Sequence, residues 1–258
     1  HRDLHSFPTR RSSDLPVFTR EKGPSIPLMA GLLRYDDQLV LVDSGFAGEP
    51  DLLLALKRLN VQPHDIQLLI NTHVHPDHVG NNRLFPQARI LVSRVDYEFS
   101  RRYSHAMIET SDPLQVLLAF YPEARGHRLL RHAMQAQLLA QRYWHDDVIG
   151  QAEQTAWIEE QPELPPFIEL WPTPGHTPGH YAVVLRTATP LLFSGDAMAG
   201  RLFWRSRLQE LVPRFNGQQF QESRAWVEQF EGLVMGGHDR PFWSATGQYC
   251  ESDGLRLQ

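Results

Sequence analysis

Residues 71–80 read Asn71-Thr72-His73-Val74-His75-Pro76-Asp77-His78-Val79-Gly80, which places three imidazoles and one carboxylate between positions 73 and 78. Imidazole and carboxylate are the ligands that suit zinc and its neighbours in the transition series. His73 and His75 lie two positions apart, so an extended strand end directs both side chains to the same side. Asp77 and His78 follow a proline turn and can face a second position beside the first. The stretch predicts a metal site directly after a short buried strand.

Four further segments run from an apolar strand into a loop that carries candidate ligands. They are Leu41-Val42-Asp43-Ser44-Gly45, Thr173-Pro174-Gly175-His176-Thr177-Pro178-Gly179-His180, Leu191-Leu192-Phe193-Ser194-Gly195-Asp196 and Leu233-Val234-Met235-Gly236-Gly237-His238-Asp239. Two Pro-Gly pairs predict a rigid loop in the second of these segments. Each of the other three, taken alone, is weak evidence, and an aspartate after a glycine at a strand end is typical of a turn.

The five segments together predict more than each does alone. Because each strand delivers polar side chains at its carboxyl end, we expect one edge of the fold to collect them. The candidates exceed the four ligands of a single zinc ion and suit two metal ions that share one carboxylate. These candidates are His73, His75, Asp77, His78, His176, Asp196 and His238.

The apolar pattern predicts an α/β fold. Strand-like runs fall into two groups, at 28–93 and 168–235, and each group includes helical segments. This order predicts two mixed sheets packed face to face with helices outside, an αββα sandwich. Residues 94–160 differ, because apolar and aromatic residues recur there at helical spacing. We expect this stretch to be a helical insertion that serves as a lid or as a homodimer surface.

Composition excludes several classes of protein. The 258 residues carry a net charge of -5, which argues against a protein built mainly to bind nucleic acid. The best apolar run, near Leu114 to Tyr121, is far shorter than the ~20 residues of a membrane-spanning helix. Cys250 is the single cysteine, so no intrachain disulfide forms. We therefore expect a small-molecule substrate, with neither nucleic acid nor membrane as a partner.

The first fifteen residues differ in character from the rest. Residues 6–15, Ser-Phe-Pro-Thr-Arg-Arg-Ser-Ser-Asp-Leu, resemble the translation of one reading frame of a widely used sequencing adapter. They show neither helical nor strand periodicity. We predict that residues 1–15 are non-native and that 16–258 form one domain; a natural disordered basic tail is the alternative. We expect a cytoplasmic protein. If the natural start of the chain is missing, a targeting signal that preceded residue 16 would be missing with it.

The order of the motifs resembles that of the metallo-β-lactamase-fold hydrolases. The resemblance rests on the His-x-His-x-Asp-His run at 73–78, followed by Gly-His-Thr-Pro-Gly-His, Ser-Gly-Asp and Gly-His. It extends over about residues 28–243. The resemblance implies two divalent metal ions. It assigns His73, His75 and His176 to the first ion, Asp77, His78 and His238 to the second, and Asp196 to both.

Two further residues match family positions that do not bind metal. Asp43 matches a residue that holds a ligand by a hydrogen bond. His180 matches the second histidine of the Pro-Gly-His loop, and we expect it to have a structural role.

The resemblance also implies a mechanism. Zinc ions about 3.5–4 Å apart lower the pKa of a water between them, so that hydroxide is available at neutral pH to attack a carbonyl. Asp77, beside that nucleophile, is the expected catalytic residue and would shuttle the proton. We expect zinc, with manganese, iron or cobalt as alternatives, because histidine and aspartate also bind these metals.

Within this family the chain resembles the N-acyl homoserine lactonases, through the run His-Val-Gly-Asn-Asn-Arg-Leu-Phe-Pro at 78–86. Those enzymes often carry a tyrosine three residues after the bridging aspartate, where this chain has Ala199. The predicted activity is therefore lactone or ester hydrolysis, with a thioesterase or phosphodiesterase of the same fold as an alternative. A non-catalytic metal-binding regulatory module is an alternative of another class. Phe203 and Trp204 could line a pocket or belong to the core.

Overall fold

Two β-sheets pack face to face in the protein, whose structure is a computed structural model. It describes residues 2–9, 28–35, 38–48, 50–206, 214–250 and 254–257. The strands are β1 (Arg2–Thr9), β2 (Leu28–Tyr35), β3 (Gln38–Val42), β4 (Leu68–Ile70), β5 (Arg89–Val92), β6 (Thr155–Trp157), β7 (Ile168–Pro172), β8 (Tyr181–Leu185), β9 (Leu191–Gly195), β10 (Leu233–Gly236), β11 (Phe242–Trp243) and β12 (Gly254–Leu257). The helices are α1 (Asp51–Arg58), α2 (Pro76–Val79), α3 (Arg94–Glu109), α4 (Pro113–Phe120), α5 (Leu129–Tyr143) and α6 (Gly217–Val227).

Both sheets are mixed, as the sequence predicts. The first has the order β12-β1-β2-β3-β4-β5-β6, and the second has the order β11-β10-β9-β8-β7. Strands β3 to β6 run parallel, and β9 runs parallel to β10. Strands β2 and β3 pair antiparallel as a hairpin. Asp36 and Asp37, which join the two strands in the sequence, lie outside the described residues.

Alternation along the strands produces the layers. In β3, Val40 and Val42 pack in the core between the sheets, whereas Leu39 and Leu41 face the other way and pack against Leu56 of α1. Strand β8 divides in the same manner, with one face toward the first sheet and the other toward α6. Side chains two residues apart share a face of a strand. The αββα sandwich is thereby confirmed.

The predicted insertion contains three helices with a core of their own. Helices α3, α4 and α5 pack around Phe99, Met107 and Leu117. The helical part ends at Tyr143, and Thr155–Trp157 returns to the first sheet as β6, parallel to β5. The insertion therefore stops short of residue 160. Strand β6 has only three residues, all half-buried, and so short a segment shows no alternating pattern from which a strand could be predicted. Among the described helices, none is long and apolar enough to cross a membrane.

One face of α5 is apolar and exposed. Leu130, Met134 and Leu138 follow one another at intervals of four residues and are 46–56% exposed. Residues four apart lie on the same face of a helix. The homodimer surface expected in the insertion stays a prediction, and these side chains are where it would lie.

The structure places a strand in the segment that resembles an adapter translation. Strand β1 pairs antiparallel with β2 on one side and with β12 on the other. Backbone groups along a sheet edge can pair with any extended segment, so this pairing requires no alternation of side chains. The non-native origin of residues 1–15 stays a prediction.

Removing residues 1–15 tests that prediction. A chain that begins at Pro16 should keep its thermal midpoint and its metal content, because β2 still pairs with β3. Differential scanning calorimetry and elemental analysis measure both quantities. A large fall in either one would show that β1 is an integral strand of the natural protein.

Candidate metal centre

The candidate ligands collect at the carboxyl ends of strands from both sheets. Residues 73–78 follow β4, the loop 173–180 joins β7 to β8, Asp196 follows β9, and His238 follows β10. Within each sheet the strands β3 and β4, and β9 and β10, run parallel, so their carboxyl ends meet. Ligand sites of α/β proteins favour such edges. The predicted collection at one edge is observed.

The first group consists of His73, His75, His176 and Asp196. Each offers one ligand atom, and all four atoms lie within 4.8 Å of one another. His75 Nδ1 is 3.0 Å from His73 Nε2 and 3.2 Å from His176 Nε2. His176 Nε2 is in turn 3.3 Å from Asp196 Oδ2. Ligand atoms bound tetrahedrally at 2.0–2.1 Å from zinc are about 3.3 Å apart, so this spacing suits one ion.

The second group consists of Asp77, His78 and His238. Asp77 Oδ2 lies 3.6 Å from His238 Nε2 and 4.0 Å from His78 Nε2. The carboxylate of Asp196 reaches this group as well, since its Oδ1 is 3.3 Å from His238 Nε2 and 3.7 Å from His78 Nε2. One carboxylate therefore contacts both groups through its two oxygens.

Among the buried polar atoms of the described residues that lack a hydrogen-bond partner, two belong to this centre: His78 Nε2 and Asp196 Oδ1. A buried polar atom without a partner costs about 1–3 kcal/mol, and more for a charged group. A cation between these atoms would satisfy both. The residues present therefore fit a divalent metal ion.

Protonation states in the first group also suit a cation. Burial, reinforced by neighbouring imidazoles such as His78, holds the pKa of His73 well below its usual value. Burial and His176 lower the pKa of His75 to about 3. Both rings are therefore neutral at pH 7, and neutral imidazole is the form that binds metal.

In the second group, nearby carboxylates affect the pKa values of the histidines more than burial does. Burial alone would lower the pKa of His78, but Asp43 and Asp77 outweigh it and raise that pKa to about 10. Burial likewise opposes the charge of His238, yet Asp196 raises its pKa to about 9. Burial would raise the pKa of Asp196, but the histidines around it, His238 first, hold it well below the usual range. His78 and His238 are therefore protonated at pH 7 in the absence of metal, and a cation bound at these rings would displace one proton from each.

Asp43 holds candidate ligands of both groups in position. Its Oδ2 accepts hydrogen bonds from His78 Nδ1 at 2.9 Å and from Thr72 Oγ1 at 2.9 Å, and its Oδ1 accepts one from the Thr72 N–H at 2.8 Å. Thr72 Oγ1 lies 3.1 Å from His73 Nδ1. Asp43 therefore orients His78 directly and His73 through Thr72, which leaves Nε2 of each ring facing the centre. The sequence predicts the role of Asp43 but not that of Thr72.

Both ring nitrogens of His180 contact groups other than the candidate ligand atoms. Its Nδ1 is 2.8 Å from Thr173 Oγ1, and its Nε2 accepts a hydrogen bond from the backbone N–H of Asp196 at 3.1 Å. Burial lowers its pKa, so the ring is neutral. The structural role expected for His180 agrees with these contacts, which fix the start of the segment that carries Asp196.

Gly237 explains why a Gly-Gly-His sequence ends β10. A Cβ atom at this position would lie 2.3 Å from Asp196 Oδ1 and 2.9 Å from His78 Cε1. Only glycine lets the backbone approach the two side chains this closely. Phe203 and Trp204, by contrast, pack in the core between the second sheet and α6.

Two buried asparagines, Asn81 and Asn82, brace the loop after the histidine motif. Asn82 Oδ1 accepts a hydrogen bond from Ser44 Oγ at 2.8 Å, and its Nδ2 donates to Asn71 Oδ1 at 2.8 Å. Asn81 Nδ2 donates to the carbonyl oxygens of Ser44 and Phe46. The Asn-Asn pair thus joins the loop after β3 to the loop after β4.

Comparison with known proteins agrees with the fold and the motifs. Residues 28–233 match the metallo-beta-lactamase superfamily. An N-acyl homoserine lactonase from a Bacillus species is 25% identical over 182 residues, 70% of this chain and 56% of that protein. The N-acyl homoserine lactonase AttM of Rhizobium radiobacter is 24% identical over 204 residues, 73% of this chain and 64% of that protein. The chain therefore spans less than two thirds of the length of these relatives.

A solved structure shows the same fold. It is an N-acyl homoserine lactone hydrolase with the product N-hexanoyl-L-homoserine bound at its catalytic metal centre. It superposes with a TM-score of 0.61 at 21% identity and covers 92% of this chain and 93% of its own. This chain belongs to the metallo-β-lactamase superfamily, and the resemblance drawn from its motifs is confirmed.

Replacing Asp43 tests the role of its carboxylate. Asp43 has a φ of 57°, a backbone conformation that asparagine also tolerates, so Asp43→Asn should keep the fold. The amide cannot accept all three hydrogen bonds, and zinc affinity should fall roughly 10- to 100-fold. Competition with a chelator measures this affinity. Asp65→Asn, at an exposed carboxylate that accepts a backbone hydrogen bond from Gln62, is the control. Wild-type affinity in Asp43→Asn would contradict the assigned role.

Proposed function

We propose that the protein is a metal-dependent hydrolase that cleaves lactones or esters with two divalent metal ions. The observation that carries the proposal is the position of Asp196 between the two groups. Its Oδ2 lies 3.3 Å from Nε2 of both His176 and His238, and its Oδ1 also lies 3.3 Å from His238 Nε2. Two ions that share a carboxylate are typical of hydrolytic centres. We expect zinc, and manganese, iron or cobalt would suit the same donors.

The seven ligands divide as their contacts suggest. We propose that Asp196 serves both ions and that the other six divide equally between them. When bound, two such ions would supply hydroxide at neutral pH and polarise a carbonyl group of the substrate. The proposed first ligands are His73, His75 and His176, and the proposed second ligands are Asp77, His78 and His238.

Asp77 is the proposed catalytic residue. Its side chain is 27% exposed, whereas that of Asp196 is 8% exposed, so Asp77 is the more accessible carboxylate of the centre. A carboxylate at the rim can accept a proton from the nucleophile and deliver it to the leaving oxygen. Asp43 contributes at a distance, because its hydrogen bond to His78 Nδ1 directs Nε2 of that ring, the proposed ligand atom, toward the centre.

The proposed substrate is a lactone, and the support comes from the relatives. The two curated relatives described above carry the name N-acyl homoserine lactonase. Ala199 stands where the motif resemblance implies a tyrosine, and its methyl side chain offers no hydroxyl to the substrate. The contact made by that tyrosine must come from another group or be absent. Simple esters, thioesters and phosphodiesters therefore belong in the test beside lactones.

Activity and metal content together test this proposal. The wild-type protein, loaded with zinc or manganese, should bind two ions per chain and hydrolyse members of a panel of N-acyl homoserine lactones, p-nitrophenyl esters, thioesters and bis-p-nitrophenyl phosphate. Asp196→Ala should lose at least one ion and lower kcat/KM at least about 100-fold, since even residues behind the ligands cost 10- to 100-fold. His64→Ala, at an exposed histidine outside the centre, is the matched control.

Each outcome decides between the alternatives. Turnover confined to thioesters or phosphodiesters would replace the proposed substrate and keep the metal centre. Two bound ions with no turnover of any substrate would favour the regulatory module. Wild-type activity and metal content in Asp196→Ala would contradict the whole proposal.

A further inference from the structure

Asp96 is a buried carboxylate that belongs to neither ligand group. It lies in the first turn of α3, the first helix of the insertion, and its exposure is 0%. Its Oδ2 accepts a hydrogen bond from the N–H of Val74 at 2.6 Å, and its Oδ1 accepts one from the N–H of Gly179 at 3.1 Å. A carboxylate removed from water needs such donors, and here the backbone supplies them.

The two donors lie in different ligand loops. Val74 is the residue between His73 and His75, and Gly179 lies three residues after His176. The three histidines proposed for the first ion thus come from two loops about a hundred residues apart in the chain, and one carboxylate binds the backbone of both. The distance between these loops determines whether the three ring nitrogens can meet at one ion.

The close approach of α3 to the second loop depends on the absence of a side chain at Gly179. A Cβ atom there would lie 2.2 Å from Ser93 Oγ and 2.6 Å from the backbone nitrogen of Asp96. Ser93 is the N-cap of α3, because its Oγ accepts a hydrogen bond from the N–H of Asp96 at 3.2 Å. The same hydroxyl donates to Glu159 Oε1 at 2.7 Å. The cap therefore holds Asp96 at the start of α3, and the Asp96 carboxylate binds the backbone of both loops.

We propose that Asp96 is a positioning residue that sets the spacing of the two loops and thereby the affinity of the first metal-ion site. The inference rests on the proposed metal centre and extends it, since it gives the helical insertion a role in building the centre. Hydrogen bonds to a carboxylate are stronger than bonds between neutral groups, so one side chain can hold two loops. The second site takes its ligands from residues that these two bonds do not contact.

Metal binding by Asp96→Asn tests the proposal. The amide accepts at one atom only, so the bond to Val74 or the bond to Gly179 is lost. The first-site affinity for Zn²⁺, measured by chelator competition, should fall roughly 10- to 100-fold, and the second site should change less than about threefold. The visible spectrum of the Co²⁺-loaded protein should show altered coordination at one ion. Asp112→Asn is the matched control, because Asp112 caps α4 of the same insertion through the N–H of Gln115.

Backbone hydrogen exchange supplies a readout that requires no metal. In the metal-free protein the amides of Val74 and Gly179 should exchange at least about tenfold faster in Asp96→Asn than in wild type, while the control variant should match wild type. Asp96→Glu keeps both acceptor oxygens, so it should restore most of the first-site affinity. If Asp96→Asn does not fold, Asp96→Glu and the slow exchange of both amides in wild type still decide the question.

Three results would overturn the proposal. They are wild-type first-site affinity in Asp96→Asn, an equal loss at both sites, or unchanged exchange at both amides. A wild-type protein that binds no metal would instead refute the proposed function, and the exchange data would then report on the Asp96 contacts alone.

Discussion

The carboxylate of Asp196 is the group on which the rest of the centre depends. It follows β9, it is buried, and its oxygens contact histidines that arrive from β4, β10 and the loop between β7 and β8. Burying a charge and several imidazoles together is costly unless each lone pair finds a partner. The unpartnered Oδ1 of Asp196 and Nε2 of His78 mark where a cation would meet that need.

The αββα sandwich places these groups at one edge. Apolar alternation in β3 and β8 buries both faces of each sheet, which leaves the strand ends as the places where polar side chains can gather. A second layer of hydrogen bonds then orients the ligands. Asp43 joins His78 and Thr72 on one side, and Asp96 joins the two histidine loops on the other.

The clustering of the candidate ligands could be predicted because their residue types and their places at strand ends are visible in the chain. Strand β6 could not, since Thr155–Trp157 is short and half-buried and pairs with a strand some sixty residues earlier. The contacts that Thr72 and Asp96 make with the histidine loops could not be predicted from the sequence either. A threonine or an aspartate in a helix first turn is ordinary until the fold brings distant backbone groups against it. Contacts between distant loops, rather than local pattern, define these roles.

Electron paramagnetic resonance of the protein loaded with two equivalents of Mn²⁺ would show whether Asp196 joins two metal ions. Ions about 3.5–4 Å apart that share a carboxylate interact magnetically. We expect a coupled spectrum in the wild type and its loss in Asp196→Ala. A simple six-line signal from isolated ions in the fully loaded wild-type protein would show that Asp196 does not join two ions.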